Sequence, residues 1–400
     1  MPKMYNISMN RSQFIFLESE TSKHDDIAAK DAEKFLKDIN YQNIRFDKDV
    51  FFIISGGTEE IFKSIYKKYK EPYFLLAANA NNSLPAALEI ASFLTQKNLN
   101  YRLIHGDNIK DQFENESIIT PFKYELKSKI PYIYGKRLGV IGKPSDWLIS
   151  SNIDYNKAKE AFGVTIIDIS FDEFYSLVKY DDNVNIGTFS EYLNEKINEN
   201  ELKKALSIYS ALKRLVKKYN LDGLTVRCFE LLNLVHSTSC LALAMLNSEG
   251  IICSCEGDIP SLLTMMVIKY GFHKLSFQCN PSYVNFKGNY LYLAHCTIPL
   301  KMCEEYAFDT HFESGIGVGI RGKLKTKPQV CILKIDPSLD KFVFYSGHII
   351  SNLKESNLCR TQIKVRLYEP VNDILTSPCG NHLVVFYDEN KDKIIKKLAK

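Results

Sequence analysis

The sequence predicts an α/β protein in which two parallel-sheet domains are followed by a β-rich third domain. Three observations support this fold class: the length of 400 residues, the alternation of apolar runs with helical segments up to residue 285, and the short β-rich runs after residue 286. This length corresponds to two or three domains of about 150 residues each. Strands that alternate with helices are typical of βαβ units, which form parallel sheets.

The first domain is predicted over residues 1–132. Its strands are expected at the apolar runs 50–54, 73–78 and 101–106. A helix is expected after the second run, because Pro85 stands where the first turn of a helix accepts proline. This segment is therefore predicted to form successive strand–helix units.

The second domain is predicted over residues 133–285, where the strand–helix pattern begins again. Its strands are expected at residues 137–142, 164–169, 223–228 and 250–255. Between the second and third of these, residues 200–219 carry apolar side chains at a spacing of three and four, which predicts one long amphipathic helix.

The third domain is predicted over residues 286–400. Its short apolar runs are separated by turns and lie at residues 290–294, 330–335, 341–345, 361–367 and 382–387. Without helices between most of them, these strands are expected to pair in a mainly antiparallel, barrel-like arrangement.

Composition excludes several classes of protein. Apolar residues make up 45% of the chain and charged residues 24%, which is ordinary for a globular protein and excludes a disordered one. No run approaches the ~18 apolar residues of a membrane span, and the start Met1–Asn6 lacks the apolar core of a secretory signal. The net charge of +4 does not indicate a nucleic-acid partner. The ten cysteines include no C-x-x-C pair, and most lie inside apolar runs, as small core residues do in a reducing cytosol. We therefore predict a cytoplasmic location.

Carboxylates follow two predicted strands of the second domain. Glu230 follows the strand at 223–228, whereas Glu256 and Asp258 follow the strand at 250–255. Ligands bind outside the carboxyl ends of strands in open α/β sheets, so neighbouring strands would bring these acids within reach of one metal ion. Mg²⁺ and Mn²⁺ prefer carboxylate oxygens, and Mn²⁺ also accepts imidazole. For either acid alone, a helix N-cap is the alternative role.

Histidine is the other residue type that could complete such a site. The chain has eight of them: His24, His105, His236, His273, His295, His311, His348 and His382. His382 stands in a predicted tight turn before a strand, and His295 ends a strand. The residues alone leave open which histidine approaches the carboxylates.

Five segments between residues 221 and 385 carry a resemblance to a known family. They are Phe229-Glu230, Cys255-Glu256-Gly257-Asp258, Leu293-Ala294-His295-Cys296-Thr297, Phe312-Glu313-Ser314-Gly315 and Gly380-Asn381-His382. In this order they resemble the L-fucose isomerase/L-arabinose isomerase superfamily. The resemblance implies two Rossmann-like, doubly wound domains, a C-terminal domain that contains a β-barrel, and a Mn²⁺ site made of two carboxylates and one histidine.

Matched motif by motif, the resemblance implies that Glu230, Asp258 (or Glu256) and His382 bind the metal, and that Glu230 and Asp258 are catalytic. It implies a metal-dependent aldose–ketose isomerase that acts through an ene-diol on a monosaccharide or sugar derivative. The metal is expected to be Mn²⁺, with Mg²⁺ or Co²⁺ as alternatives, and no organic cofactor is required. Relatives of this kind form trimers or hexamers, in which the N-terminal domain can serve a neighbour's site.

The choice between Glu256 and Asp258 depends on the turn that follows the strand. Asp258 is the expected ligand, because its short side chain has fewer torsions to fix around a metal. If Asp258 is only the N-cap of the helix that Pro260 opens, then Glu256 is the ligand. In the first arrangement, Glu256 orients a ligand or a sugar hydroxyl from outside the metal sphere.

Five residues are further candidates for contact with the substrate or with the metal ligands: Glu256, His295, Trp147, His311 and Glu313. The indole of Trp147 suits the C–H face of a sugar, and packing beneath its loop is the alternative role. His311 and Glu313 alternate on one face of an extended segment, for which a structural role is the alternative. Two other functions stay open: an intracellular sugar-binding protein, and a family member without isomerase turnover. The sequence does not identify the sugar, whether it is phosphorylated, or the direction of the reaction.

Overall fold

The computed structural model describes residues 14–18, 25–40, 48–114, 122–179 and 185–400, so the start Met1–Asn6 lies outside the described residues. These ranges contain two four-stranded parallel sheets, a closed antiparallel barrel and a two-stranded hairpin. No helix within these ranges combines the length and the apolar character needed to cross a bilayer.

The N-terminal sheet has the strand order β1-β2-β3-β4 and is parallel throughout. Its strands are β1 (Phe14–Leu17), β2 (Val50–Ile53), β3 (Tyr73–Ala77) and β4 (Tyr101–Ile104), and its helices are α1 (Asp25–Asp38), α2 (Glu59–Ile65), α3 (Ser83–Gln96) and α4 (Ile109–Glu114). The three predicted strands are confirmed, and every residue of β2 and β3 is buried, as parallel strands covered on both faces require. The strand order does not reverse among the described residues, so the expected doubly wound arrangement is wrong for this sheet.

The second parallel sheet has the strand order β7-β6-β8-β9. A two-residue strand, β5 (Tyr124–Glu125), precedes it and pairs with the barrel. The sheet consists of β6 (Arg137–Ile141), β7 (Thr165–Ile169), β8 (Gly223–Val226) and β9 (Ile252–Cys255). All four predicted strands are confirmed. The strand order reverses at β6, as it does in doubly wound sheets, although a Rossmann-like fold stays a prediction.

Six helices accompany the second sheet: α5 (Tyr155–Phe162), α6 (Phe171–Leu177), α7 (Glu199–Tyr219), α8 (Glu230–Leu234), α9 (Cys240–Glu249) and α10 (Ile259–Phe272). The long amphipathic helix predicted at 200–219 is α7, which buries Leu202, Leu206, Leu212 and Leu215 on one face. The other helix that matters for the site is α10, which begins directly behind the carboxyl end of β9.

The C-terminal part forms a closed six-stranded antiparallel barrel. The barrel strands are β10 (Phe277–Asn285), β11 (Tyr290–His295), β14 (Gln329–Ile335), β15 (Lys341–Asn352), β16 (Thr361–Leu367) and β17 (Leu383–Tyr387). A separate hairpin consists of β12 (Glu305–Asp309) and β13 (Gly319–Lys323), and the helices of this region are α11 (Asp373–Thr376) and α12 (Lys391–Leu398). The barrel order is β14-β17-β10-β11-β16-β15, and the pairing of β14 with β15 closes it. The predicted antiparallel, barrel-like character of this region is confirmed.

Both parallel-sheet units pack against the barrel. Leu88 of α3 shares one hydrophobic cluster with Val284 of β10, so the N-terminal sheet lies against the barrel. Met266 of α10 shares a second cluster with Leu333 of β14, which joins the second sheet to the barrel. Glu256, after β9, lies beside His295 and His382. Asn82, after β3, accepts a hydrogen bond from Asn280 of β10, the strand partner of Ala294. The carboxyl ends of both parallel sheets therefore face the barrel end that carries the two histidines. The domain boundaries near residues 132 and 286 stay predictions.

Candidate active site

Glu256 stands at the carboxyl end of β9, in a turn that fixes the direction of its side chain. The backbone is left-handed at Glu256 (φ 66°) and at Gly257 (φ 73°). The Gly257 N–H donates to the carbonyl oxygen of Val226, at the end of the neighbouring strand β8, over 3.0 Å. The Glu256 carboxylate accepts a hydrogen bond from Nε1 of Trp147 at Oε2, over 2.9 Å. The turn and this bond leave Oε1 free to face the barrel.

The Gly257→Ala variant should show how closely this turn is packed. A Cβ at residue 257 would stand 2.6 Å from Cα of Pro144, so backbone atoms have to move in addition to the cost of a left-handed alanine. We expect a loss of about 2–4 kcal/mol in the free energy of unfolding by urea titration. Gly135→Ala is the matched control, since Gly135 has φ 76° but open space around it, and it should lose only about 1 kcal/mol. Equal losses in the two variants would contradict the close packing.

His295 and His382 present the same ring nitrogen to Glu256. His295 is the last residue of β11, and His382 directly precedes β17. Their Nε2 atoms lie 3.8 Å and 3.4 Å, respectively, from Oε1 of Glu256. The Nδ1 atoms are held from behind: that of His295 lies 3.0 Å from Oγ1 of Thr297, and that of His382 lies 2.8 Å from Oδ2 of Asp258. Nε2 of His382 is buried and has no hydrogen-bond partner in the described structure.

One group of three potential metal-binding side chains (His, Cys, Asp or Glu) has all its ligand atoms within 4.8 Å of one another. Among the described residues it is the only such group, and it consists of Glu256, His295 and His382. A carboxylate with two imidazoles suits a divalent transition metal, and partners on the far ring nitrogen are typical of metal-bound histidines. The donors present therefore fit a metal ion. Mn²⁺, the expected metal, accepts one carboxylate and two imidazoles as ligands, whereas Mg²⁺ prefers oxygen ligands and fits the two imidazoles less well.

The electrostatics of the cluster also favour a cation. Burial raises the pKa of Glu256, but the neighbouring His382 and His295 outweigh burial and hold this pKa well below its usual range. Burial lowers the pKa of His382, but the charge of Glu256 and the hydrogen bond to Asp258 outweigh it and raise this pKa to about 9. In the protein without metal, a positive charge on His382 is thus stabilised where a divalent cation would be bound.

Asp258 is not part of the cluster, although it was the expected ligand. It is the N-cap of α10, and its carboxylate accepts hydrogen bonds from the backbone N–H of Ser261 over 2.7 Å and from Nζ of Lys334 over 2.9 Å. Burial raises the pKa of Asp258, but Lys334 and His382 together hold it far below its usual range. The arrangement is the alternative considered from the sequence: Asp258 caps the helix and orients His382, while Glu256 faces the histidines.

Glu230 is also outside the cluster, so the expected ligand set of Glu230, Asp258 and His382 is not the set that the structure brings together. The strands β8 and β9 are neighbours, as the expectation required. However, Glu230 is the first residue of α8, and its carboxylate lies 3.1 Å from the guanidinium of Arg227, with 40% of the side chain exposed. Three residues separate the end of β8 from Glu230, and the contact with Arg227 holds the carboxylate at the first turn of α8.

Aromatic side chains form one wall beside the cluster. Trp147 packs edge-on against Phe229, with ring centroids 5.0 Å apart, and Phe229 packs edge-on against His311 at 5.6 Å. Nδ1 of His311 lies 3.0 Å from Oγ of Ser314. Trp147 therefore contacts the cluster through its hydrogen bond to Glu256 and the aromatic wall through Phe229. The positions of Trp147 and His311 agree with their selection as candidates, and their contact with a substrate stays a prediction.

Glu313 lies on the side of the site that faces the N-terminal sheet. Its Oε1 accepts a hydrogen bond from Nδ2 of Asn82, over 2.5 Å. Burial and the negative charge of Glu256 raise the pKa of Glu313 to about 7. A carboxyl group with this pKa exists in both protonation states near neutral pH, as general acid–base catalysis requires.

Three residues around the site were missed from the sequence: Glu59, Asn82 and Lys334. Glu59 and Asn82 follow the strands β2 and β3, and this position at the carboxyl end of a parallel sheet is the signal that could have identified them. They come from the same chain as the cluster. The expected trimer or hexamer, with an N-terminal domain that serves a neighbour, stays a prediction.

Comparison with known proteins gives three distant relatives, and no family model matches the chain. The sulfoquinovose isomerases of Priestia aryabhattai and Priestia megaterium are each 24% identical to it over 139 residues, which are 33% of this chain and 31% of theirs. The sulfoquinovose isomerase of Alkalicoccus urumqiensis is 20% identical over 282 residues, 66% of this chain and 62% of its own. The matched part thus spans about a third of the first two relatives. These names support a relationship with sugar isomerases, but not with the fucose or arabinose enzymes specifically.

Proposed function

We propose that the protein is an aldose–ketose sugar isomerase that uses a divalent metal ion, expected to be Mn²⁺. The observation that carries the proposal is the buried cluster in which Nε2 of His295 and Nε2 of His382 face one carboxylate oxygen of Glu256. The names of the three relatives support the reaction class. A cytoplasmic location and a trimeric or hexameric assembly belong to the same proposal.

Aldose–ketose interconversion moves one proton from C2 to C1 and a second from O2 to O1, and an ene-diol lies between the two sugars. A metal held by Glu256, His295 and His382 would supply Lewis-acid stabilisation of the charge that develops on the sugar oxygens. The protein itself has to bind the sugar, exclude water and carry the proton between the two carbons.

Glu313 is the residue we assign to proton transfer between C2 and C1. As a carboxylate it takes the proton from C2, and as the resulting carboxylic acid it returns a proton to C1. The hydrogen bond from Asn82 to Oε1 fixes the direction of the carboxyl group and leaves Oε2 for the substrate. We assign the half-buried rings of Trp147 and Phe229, which pack edge-on beside Glu256, to the wall that would lie against the bound sugar.

The rate should therefore depend on pH through Glu313. The raised pKa of about 7 means that the carboxylate form falls tenfold for each pH unit below 7, so we expect kcat/KM to rise up to pH 7 and to level off above it. Glu313→Gln should reduce kcat by about 10²–10⁴-fold, remove this pH dependence and retain bound Mn²⁺. Glu305→Gln is a control on a neighbouring segment, since this side chain is 75% exposed and should leave rate and profile unchanged. An unchanged pH profile in Glu313→Gln would exclude Glu313 as the base.

The proposal as a whole is tested with a panel of sugars, Mn²⁺ and D₂O. The panel contains neutral aldohexoses and aldopentoses, their terminal phosphates, and sulfoquinovose. NMR should show a ketose product and deuterium at C1 or C2 for at least one sugar. A sugar that binds without exchange or product would instead indicate a sugar-binding protein or a family member without turnover.

A further inference from the structure

We infer that the carboxyl end of the N-terminal sheet is a binding wall for the part of the sugar remote from C1 and C2, and that Glu59 binds a hydroxyl group there and determines specificity. This inference rests on the proposed isomerase function. Nothing in the names of the relatives assigns a role to this wall, and the cluster of Glu256, His295 and His382 does not include it.

Glu59 is a buried carboxyl group without a complete set of partners. It is the first residue of α2, only 2% exposed, and its Oε2 has no hydrogen-bond partner in the described structure. Burial of a carboxyl oxygen without a partner is unfavourable, and native proteins pair nearly all such atoms. An oxygen left in this state is explained if a ligand completes its hydrogen bonds.

The position of Glu59 points to the sugar site. Burial is the main reason that its pKa is raised, and the charges of Glu89, Glu256 and Glu313 add to the effect. Gly56, three residues before Glu59, lies against Asn82, since a Cβ at residue 56 would stand 3.1 Å from Cβ of Asn82, and the Asn82 side chain donates to Glu313.

The loop after β3 adds two amide side chains to the same wall. The backbone N–H of Gly56 donates to the carbonyl oxygen of Asn81 over 2.9 Å, so this loop touches the loop that leads to Glu59. Oδ1 of Asn79 is also buried and has no partner in the described structure. Asn82 is turned toward the barrel by its bond to Glu313. A carboxyl oxygen and an amide oxygen are both acceptors, which suits hydroxyl groups.

The charge of the wall excludes one class of substrate end. The charged groups that act most strongly on Glu59 are all carboxylates. The buried cation nearest to the metal cluster, Lys334, is already paired with Asp258. A sulfonate or phosphate at this end of the sugar would lie beside buried carboxyl groups, which repel it when ionised and offer it no positive charge when protonated. The wall fits the uncharged, hydroxyl-bearing end of a monosaccharide.

The first test needs no substrate. In Glu59→Leu, an apolar side chain replaces the carboxyl that lacks a partner, so we expect the Tm at pH 8 to rise by about 2–4 °C. Glu60→Gln is the matched control: Glu60 is the next residue, lies on the surface beside Lys63, and should leave the Tm unchanged. An unchanged or lower Tm in Glu59→Leu would mean that the fold itself satisfies this carboxyl, and would overturn the inference.

The second test separates binding of the remote hydroxyl from the reaction. For the aldose that exchanges fastest in D₂O with Mn²⁺, the analogues that lack single hydroxyls beyond C2 are compared. We expect one deoxy analogue to have a kcat/KM about 100-fold lower than the parent sugar in wild type and in Glu60→Gln. In Glu59→Leu the parent should fall to the level of that analogue, mainly through KM, with the Mn²⁺ content unchanged.

Three outcomes of the second test would overturn the inference in distinguishable ways. If Glu59→Leu still discriminates against the same analogue, Glu59 does not bind the hydroxyl, while the proposed isomerase function stands. If sulfoquinovose or a terminal phosphate is the best substrate, the wall does not select an uncharged end. If wild type exchanges no sugar at all, the proposed function fails, and this inference fails with it.

Discussion

We expect Lys334→Met to lower the free energy of unfolding by about 3–5 kcal/mol, because the variant removes the fully buried cation that is paired with the Asp258 carboxylate. Both side chains are fully buried, and the two atoms of the ion pair lie 2.9 Å apart. Nζ of Lys334 also donates to Oγ of Ser261 over 2.5 Å. Asp258 in turn holds Nδ1 of His382, so the same variant should weaken Mn²⁺ binding.

Urea unfolding at pH 7 measures this loss. Lys213→Met is the control, because Lys213 makes a 3.0 Å ion pair with Glu249 at the surface and its removal should change stability by less than about 1 kcal/mol. A loss in Lys334→Met as small as that of the control would mean that Asp258 is not charged in the folded protein.

We expect Glu256→Gln to abolish Mn²⁺ retention and turnover, and Asp258→Asn to keep a weaker metal site. An amide in place of the Glu256 carboxylate removes the anionic ligand between the two histidines, and we expect an affinity at least about 10³-fold lower. Asp258→Asn disturbs only the bond behind His382, so its affinity should fall about 10–100-fold. It should also lose stability, since Lys334 then lacks its buried counter-ion.

Metal content after dialysis against Mn²⁺, measured by mass spectrometry, distinguishes these variants without an activity assay. Glu230→Gln is the matched control, because Glu230 contacts Arg227 and should retain the metal as wild type does. Retention by Glu256→Gln together with loss from Asp258→Asn would restore Asp258 as the ligand. Loss from Glu230→Gln would restore the ligand set expected from the sequence.

Local apolar patterns predicted most of the strands but not how they pair. The runs at 50–54 and 73–78 are apolar on both faces because β2 and β3 are covered on both sides, and this signal is contained in a few consecutive residues. The closure of the barrel joins β14 to β15 and inserts β17 between β14 and β10. The partner of a strand at a barrel seam is decided by packing across the whole domain, which no short window of sequence contains.

The site shows the same division between local and distant information. The sequence placed Glu256 and Asp258 in the correct turn, and it included the arrangement in which Asp258 caps the helix. The decision depends on Lys334, which is 76 residues from Asp258 and emerges from β14 as a fully buried cation. Glu230 was misleading for a local reason: it follows a strand, but the first turn of α8 directs it toward Arg227.

The position of β17 also determines when the site can exist during synthesis of the chain. His382 directly precedes this strand, and β17 follows the other barrel strands in the chain and lies between β10 and β14. Until β17 is inserted, the nascent chain carries Glu256 and His295 on a barrel with an open seam. A partly made or misfolded chain therefore cannot complete the three-residue cluster. If the cluster binds a metal ion as proposed, its three ligands are therefore complete only after barrel closure.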